Sequence, residues 1–321
     1  MIGEWKRVSG STLKMVGIIT MLIDHLALAV ILRIMNTNLA GDLLIHLNSV
    51  YSVMRTIGRL SFPIFCFLLV EGFGKTRSKP KYLFRLGMFA LISEIPYDLA
   101  LCATVLEFHH QNVYFTLFLG MLSMCACELV EKHRLPVPVR CFMSVVGVAV
   151  SGIWLTRLSW FLVQRYILFR FPGLAIFGNT VTVAAIFCVI CVFIVAFLLC
   201  YRRRTGTDKM LNAGTDLTVL FLFVTLADLL RTDYLGMGVL TITVMYILRN
   251  SNVLAMAGGC VVLIFKGLKE IPTFLTLIPI AMYNGKRGLR LKYIFYIFYP
   301  AHLLLLWFVA LLMGTASIPV L

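Results

Sequence analysis

Long apolar runs, separated by short and mostly basic segments, follow one another along the whole chain. They lie near residues 15–35, 50–72, 83–103, 113–130, 141–156, 172–200, 214–231, 234–249, 252–266, 271–283 and 292–313. The runs are continuous and do not alternate with polar residues, which favours membrane-spanning helices over the strands of a β-barrel. The pattern predicts an all-α fold, a polytopic membrane helical bundle of about 10–11 transmembrane helices in one integral membrane domain over residues 1–321.

Composition supports this class of protein. The chain is 60% hydrophobic and only 13% charged, and its mean hydropathy is +0.94, which excludes an ordinary soluble domain. The nine cysteines lie almost entirely inside apolar runs. The close pairs Cys125/Cys127 and Cys188/Cys191 have no histidine or carboxylate beside them, so we interpret them as small buried side chains and expect no metal site.

The formal net charge of +15 is concentrated in short loops. The basic residues cluster at 75–81, 131–140, 202–209 and 284–292, whereas the 36–49 and 105–112 segments have few or none. The positive-inside rule therefore predicts a cytoplasmic N-terminus, cytoplasmic basic loops and external 36–49 and 105–112 loops. No soluble basic surface exists for nucleic acid, so the expected partners are the lipid bilayer and an anionic cytosolic ligand.

One stretch does not fit the series of spans. Residues 157–170 combine three arginines with aromatic side chains and end before Pro172. This mixture favours an interfacial helix over a span, although the sequence leaves both open.

The first span carries ionisable residues at helical spacing. Lys14 and His25 lie eleven positions apart, which puts them on one helix face about 16 Å apart along the axis. His25 is then expected near mid-bilayer, where a polar side chain suggests a functional site. A membrane-surface lysine and a structural histidine are the alternative.

Two further spans carry charged pairs four residues apart, Arg55 with Arg59 and Glu94 with Asp98. Such spacing places each pair on one helix face. Buried carboxylates need cationic or histidine partners, so we expect the two arginines or His25 to pair with them. Arginines that reach to the membrane surface and a purely structural ion-pair network are the alternatives.

Other polar residues lie at the ends of spans or inside them. They are His110 and Asn112 before the fourth span, Asp228 and Asp233 at the turn near residue 231, and Tyr299 and His302 in the last span. Asn112 is also a candidate helix cap. So many polar groups from different helices predict a central polar cavity.

Several blocks, in one order, resemble the TraX family of membrane proteins. They include SEIPYD at 93–98 and YNGKRG at 283–288, together with the blocks at 59–73, 110–117, 233–238 and 292–302. The resemblance covers about two thirds of the chain and is weak from about 131 to 213. TraX proteins are named for acetylation of the N-terminus of conjugative pilin, and most acceptors in the wider family are unassigned.

The first span also resembles the acyltransferase-3 signature, a basic residue followed by ten residues and then histidine, with Lys14 in the basic position and His25 as the histidine. Together the two resemblances imply a multi-pass acetyltransferase of the bacterial cytoplasmic (inner) membrane. It would move an acetyl group from cytosolic acetyl-CoA to an amine or hydroxyl of a protein, glycan or lipid acceptor, without a metal. The sequence leaves open the acceptor, direct transfer or an acyl-enzyme, and the oligomeric state.

This hypothesis assigns roles to named residues. His25 is the expected general base, because histidine titrates near neutral pH, and Glu94, Asp98 and His302 are its expected catalytic partners. The residues expected to bind CoA are Lys14, Arg59, Arg85, Lys286, Arg287 and Lys292. Those expected to bind the acceptor are Arg55, His110, Asn112, Asp228, Asp233 and Tyr299.

Two other classes of function remain as alternatives. A transporter or channel also has charged residues inside its spans, and it is expected to show internal repeats or paired broken helices, which the sequence does not clearly show. A structural partner of a secretion or conjugation apparatus is the second, and it predicts full function after His25 is replaced.

Overall fold

The computed structural model describes residues 7–37, 41–133, 135–170, 180–289 and 292–321, and within these it leaves out the side chains of 168 and 292–295. Over this part of the chain the regular structure is helical, with two isolated β-bridges, Val8 with Tyr283 and Gln111 with Thr232. The prediction of an all-α polytopic bundle is confirmed. Six described helices are long and apolar enough to cross a membrane, and three shorter apolar helices accompany them.

The helices are named in chain order. They are α1 (Gly10–Met35), α2 (Asp42–Gly58), α3 (Ser61–Lys75), α4 (Lys79–Tyr97), α5 (Val113–His133), α6 (Val137–Leu162), α7 (Thr180–Thr205), α8 (Thr207–Leu229), α9 (Leu235–Ile247), α10 (Asn252–Ile264), α11 (Leu277–Ala281) and α12 (Lys292–Leu312). Local signals explain several starts: the hydroxyls of Ser9, Ser78 and Ser251 cap α1, α4 and α10 by accepting a backbone N–H.

Three helix boundaries differ from the prediction. The segment predicted as a loop at 36–49 becomes helical at Asp42, directly after Gly41 with φ of 78°. Residues 157–170 form no separate helix, because α6 runs unbroken into a π-helical turn at Val163–Leu168. The predicted span at 271–283 is a 3-10 helix, Leu268–Thr276, followed by the five-residue α11, and Pro272 lies within the 3-10 part.

The described chain divides into two compact units, Met1–Leu122 with Ala227–Leu321, and Ser123–Leu226. In the first unit α1 packs against α2, α3 and α12, while α9 packs against α3 and α10. The core of this unit includes Leu13, Ile64, Met121 and Met256, all at most 1% exposed. The candidate site lies entirely in this first unit.

In the second unit α6 packs against α7, and Arg140 of α6 donates to Asp208 and Asn212 of α8. The most apolar stretch of helix α7 has a mean hydropathy of 3.3, and none of the residues in that stretch is buried within the protein. An apolar helix with this exposure is suited to lipid contact.

Candidate functional site

Two histidines far apart in the sequence meet inside the first unit. Nδ1 of His25 on α1 lies 2.7 Å from Nε2 of His302 on α12, and Nδ1 of His302 lies 2.7 Å from the carbonyl oxygen of Phe298. The two residues are 8% and 4% exposed. The structure therefore brings together two of the four predicted catalytic residues in a buried hydrogen-bonded pair.

A large cavity opens at the N-terminal end of α1. Its volume is about 960 Å³, within the usual range for small-molecule sites. Its lining comes from α1, α3, α4, the start of α5, the 282–289 segment and α12. The basic residues among the lining are Lys14, Lys75, Arg77, Lys81, Arg85 and Arg287, against one carboxylate, Glu71. This excess of positive charge is suited to an anionic ligand.

Tyrosine rings connect this cavity to the histidine pair. Tyr114 and Tyr296 line the cavity, and the ring of Tyr114 lies 5.0 Å from that of Tyr299. Tyr299 in turn lies 5.9 Å from the His25 ring and 5.6 Å from the His302 ring, centroid to centroid. One buried ring, that of Tyr299, thus lies between the cavity lining and the histidines.

The 282–289 segment is attached to two helices that border the cavity. The backbone N–H groups of Gly10 and Ser11 donate to the carbonyls of Lys286 and Arg287, at 2.8 and 2.9 Å. Gly288 has φ of 69°, and a Cβ on it would lie 2.1 Å from Oγ of Ser11. This close approach and the left-handed backbone both require glycine.

On the other side, this segment is attached to α3. The hydroxyl of Tyr283 donates to Oε1 of Glu71 at 3.0 Å, and Nζ of Lys75 donates to the carbonyl of Gly285 at 2.7 Å. Burial, and then the charge of Glu71, raise the pKa of Tyr283, so its hydroxyl keeps the donor proton at neutral pH.

A second, much smaller pocket of about 70 Å³ adjoins His25. Its polar lining includes Asp24, Arg55, Arg59, Asp233 and Lys266. Arg55 donates to Asp24 at 2.5 Å.

Arg59 donates to Glu270, which is 2% exposed. The predicted pairing of Glu94 and Asp98 with Arg55, Arg59 or His25 is therefore wrong, because these three residues have Asp24, Glu270 and His302 as their partners. Sequence reasoning missed Glu270, which directly follows Lys269 in the short segment between two predicted spans.

The other two predicted catalytic residues contact the backbone near the start of α5. The Nδ2 group of Asn112 donates to Glu94 and to the carbonyl of Ala90 at 2.8 Å. Its Oδ1 accepts from the backbone N–H of Tyr114 at 3.0 Å, as expected of a helix cap. Asp98 accepts from the backbone N–H of Glu107 at 2.8 Å. These hydrogen bonds attach the segment before α5 to the end of α4, and they engage both carboxylates.

The remaining predicted residues are distributed over several places. Of the predicted CoA site, Lys14, Arg85 and Arg287 line the large cavity and Arg59 the small pocket. Lys286 is exposed beside Arg287, and the side chain of Lys292 lies outside the described residues.

Of the predicted acceptor site, Arg55 and Asp233 line the small pocket and Tyr299 contacts the histidine pair. His110 is exposed. Asp228 accepts from the backbone N–H of Gly236 at 2.7 Å, which joins the end of α8 to the start of α9.

Comparison with known proteins gives one family and one curated relative. The family model described as TraX protein matches residues 9–199 and 138–310. A protein of Dichelobacter nodosus named "Probable fimbrial assembly protein FimC, serogroup H1" is 34% identical over 139 residues, which cover 41% of this chain and 50% of that protein. The chain thus aligns with half of that relative. No solved structure matches this chain.

Proposed function

Because this chain belongs to the TraX family, we propose that it is a multi-pass membrane acetyltransferase that takes its acetyl group from acetyl-CoA. The acceptor is an amine or hydroxyl at or beyond the membrane. The name of the Dichelobacter nodosus relative, a probable fimbrial assembly protein, supports an acceptor among the subunits of a surface fibre. The six apolar helices support its placement in a membrane, for which we propose the bacterial inner membrane with the N-terminus in the cytoplasm.

The large cavity supports the donor half of the proposal. Its volume suits an extended nucleotide thioester, and its six basic residues suit the three phosphate groups of CoA. We assign Lys14, Arg85 and Arg287 to these phosphates, together with Lys75, Arg77 and Lys81 from the basic segment after α3. The bound thioester supplies an activated acetyl group at the tyrosine-lined end of the cavity.

The histidine pair supports the acceptor half. His25 lines the small pocket, which we propose receives the acceptor group, with Arg55 and Asp233 in its wall. His25 takes the proton of the attacking N–H or O–H while the new bond to the acetyl carbon forms. The carbon–sulfur bond then breaks, and the proton passes from His25 to the leaving thiolate. A general base of this kind contributes about 10²- to 10⁴-fold to the rate.

One observation carries the proposal: the buried His25–His302 pair lies one tyrosine ring away from a strongly basic cavity. A structural histidine needs a hydrogen-bond partner but has no need of a neighbouring anion site. An acyltransferase requires both, a base beside the acceptor and a cationic site for the donor.

The decisive experiment follows transfer of radiolabelled acetyl from acetyl-CoA by the purified protein. His25→Ala is expected to lower the rate about 10²- to 10⁴-fold and to leave CoA binding unchanged, because His25 does not line the large cavity. The matched control is His46→Ala, an exposed histidine on α2, which is expected to transfer normally. A His25→Ala protein that transfers at the wild-type rate contradicts the proposal and favours a conduction path through the polar core.

A further inference from the structure

We propose that His302 is a positioning residue, which fixes the tautomer of His25 so that Nε2 of His25 is the nitrogen without a proton. The catalytic consequence rests on the proposed function, whereas the tautomer follows from hydrogen-bond geometry alone.

The carbonyl oxygen of Phe298 determines the tautomer of His302. It lies 2.7 Å from Nδ1 of His302, and a carbonyl oxygen only accepts hydrogen bonds. Nδ1 of His302 must therefore carry a proton and donate it. A neutral imidazole has a single N–H. Nε2 of His302 is therefore unprotonated and able to accept a hydrogen bond.

The charge state of this ring follows from its surroundings. His302 is 4% exposed, and neither His302 nor His25 forms an ion pair with a carboxylate among the described residues. A buried charge without such a partner is costly. In the adjoining pocket the charges of Asp24 and Arg55 offset each other, since the two side chains form an ion pair. Both imidazoles are therefore neutral at rest.

The tautomer of His25 follows from that of His302. Nε2 of His302 lies 2.7 Å from Nδ1 of His25, and a bare nitrogen at that distance needs a donor. Nδ1 of His25 is therefore protonated, and Nε2 of His25 is unprotonated. The two ring planes differ by only 13°, which is compatible with an in-plane hydrogen bond. His25, which lines the small pocket, thus keeps Nε2 as the nitrogen able to accept a proton.

Nitrogen NMR of the wild-type protein in membranes tests the tautomer without any assay of transfer. With ¹⁵N-labelled histidine, the resonances that disappear in His25→Ala are expected to show a protonated Nδ1 and an unprotonated Nε2. His302, assigned in the same way from His302→Leu, is expected to show the same tautomer. A protonated Nε2 on His25 overturns the proposal, whatever reaction the protein performs.

Kinetics test the positioning role. His302→Leu removes the acceptor of the Nδ1 proton. We expect a loss of about 10- to 100-fold, by analogy with the loss when the orienting partner of a metal-bound histidine is removed. The loss is expected in kcat, with KM for acetyl-CoA unchanged, because His302 does not line the donor cavity. His302→Gln places a carbonyl oxygen within reach of the same proton and is expected to recover most of the rate.

The outcomes separate this inference from the proposed function. If the wild-type protein shows no acetyl transfer, the function is wrong, and the NMR result still decides the tautomer. If transfer occurs and His302→Leu keeps the wild-type kcat, the positioning role is wrong even though the function stands. Should His302→Leu not fold, the NMR of the wild type and the rate of His302→Gln decide. A loss of about 10- to 100-fold in the Gln variant then overturns the inference.

Discussion

At the scale of single residues, two adjacent residues of α1 have polar partners on different helices. Asp24 pairs with Arg55 of α2, whereas His25 pairs with His302 of α12. Successive side chains on a helix point about 100° apart, so adjacent residues reach different helices. The small pocket touches both networks.

Gly58 allows Asp24 to lie across the end of α2, and its replacement gives a stability prediction. A Cβ at Gly58 would lie 2.0 Å from Oδ1 of Asp24. We expect Gly58→Ala to lower stability by about 1–3 kcal/mol through overpacking and to disturb the Asp24–Arg55 pair. Thermal unfolding of the purified protein measures this loss.

Gly74 is the matched control for that measurement. It lies in α3, where an added Cβ meets no heavy atom within 4 Å. Gly74→Ala is expected to gain about 0.5–1 kcal/mol from helix propensity. Equal unfolding temperatures for the two variants would contradict the packing argument.

Lys14 gives a binding prediction at the same scale. It lines the donor cavity, and a charge-assisted hydrogen bond typically contributes about 1.5–3 kcal/mol. Because Lys14 is partly exposed, we expect Lys14→Ala to weaken CoA binding by about tenfold, at the low end of that range. Titration calorimetry measures it, with the exposed Lys209→Ala as control. Unchanged affinity in both Lys14→Ala and Arg287→Ala would remove the assignment of the phosphate site.

At the scale of elements, the site depends on how the 282–289 segment is held against α1 and α3. Its backbone accepts from the first N–H groups of α1, and Tyr283 and Gly285 contact Glu71 and Lys75 of α3. Arg287 is thereby brought to the mouth of the cavity. The position of this cation is therefore a property of three elements together.

Two glycines of this segment give a matched pair of variants. Gly285 and Gly288 have φ of 73° and 69°, so alanine at either costs about 1–3 kcal/mol of backbone strain. Only at Gly288 would the new Cβ collide with Ser11. We therefore expect Gly288→Ala to weaken CoA binding and Gly285→Ala to leave it nearly unchanged, as measured by titration calorimetry. The same affinity in both variants would show that the attachment to α1 does not position the cavity cations.

At the scale of the whole molecule, charge distribution predicts orientation. By the positive-inside rule, basic segments such as 202–209 and 284–292 are expected in the cytoplasm, and the 105–112 segment is expected outside. In a variant without the nine native cysteines, Glu107→Cys is expected to react with a membrane-impermeant reagent in intact cells. Lys209→Cys is expected to react only after lysis. Reversed labelling of the two positions would refute the orientation.

The class of the protein and most of its helices follow from the amino-acid sequence alone. Apolar length and helical period are local properties, and so is the spacing that puts Lys14 and His25 on one face of α1. The cap at Asn112 was also predictable, since a cap involves residues adjacent in the chain. The boundaries near Asp42 and Pro272 were less accurate, because competing weak signals decide helix ends.

Which polar groups contact one another depends on the packing of the helices. His25 and His302 are 277 positions apart, and Arg59 and Glu270 are 211 apart. Charge and spacing favoured Glu94 and Asp98 as partners of the arginines, but Glu94 accepts from Asn112 and Asp98 from the backbone N–H of Glu107, both before α5. Partner choice depends on which helices pack side by side and on how each is rotated about its axis. No local pattern encodes that arrangement, because it is settled by the packing of the whole first unit.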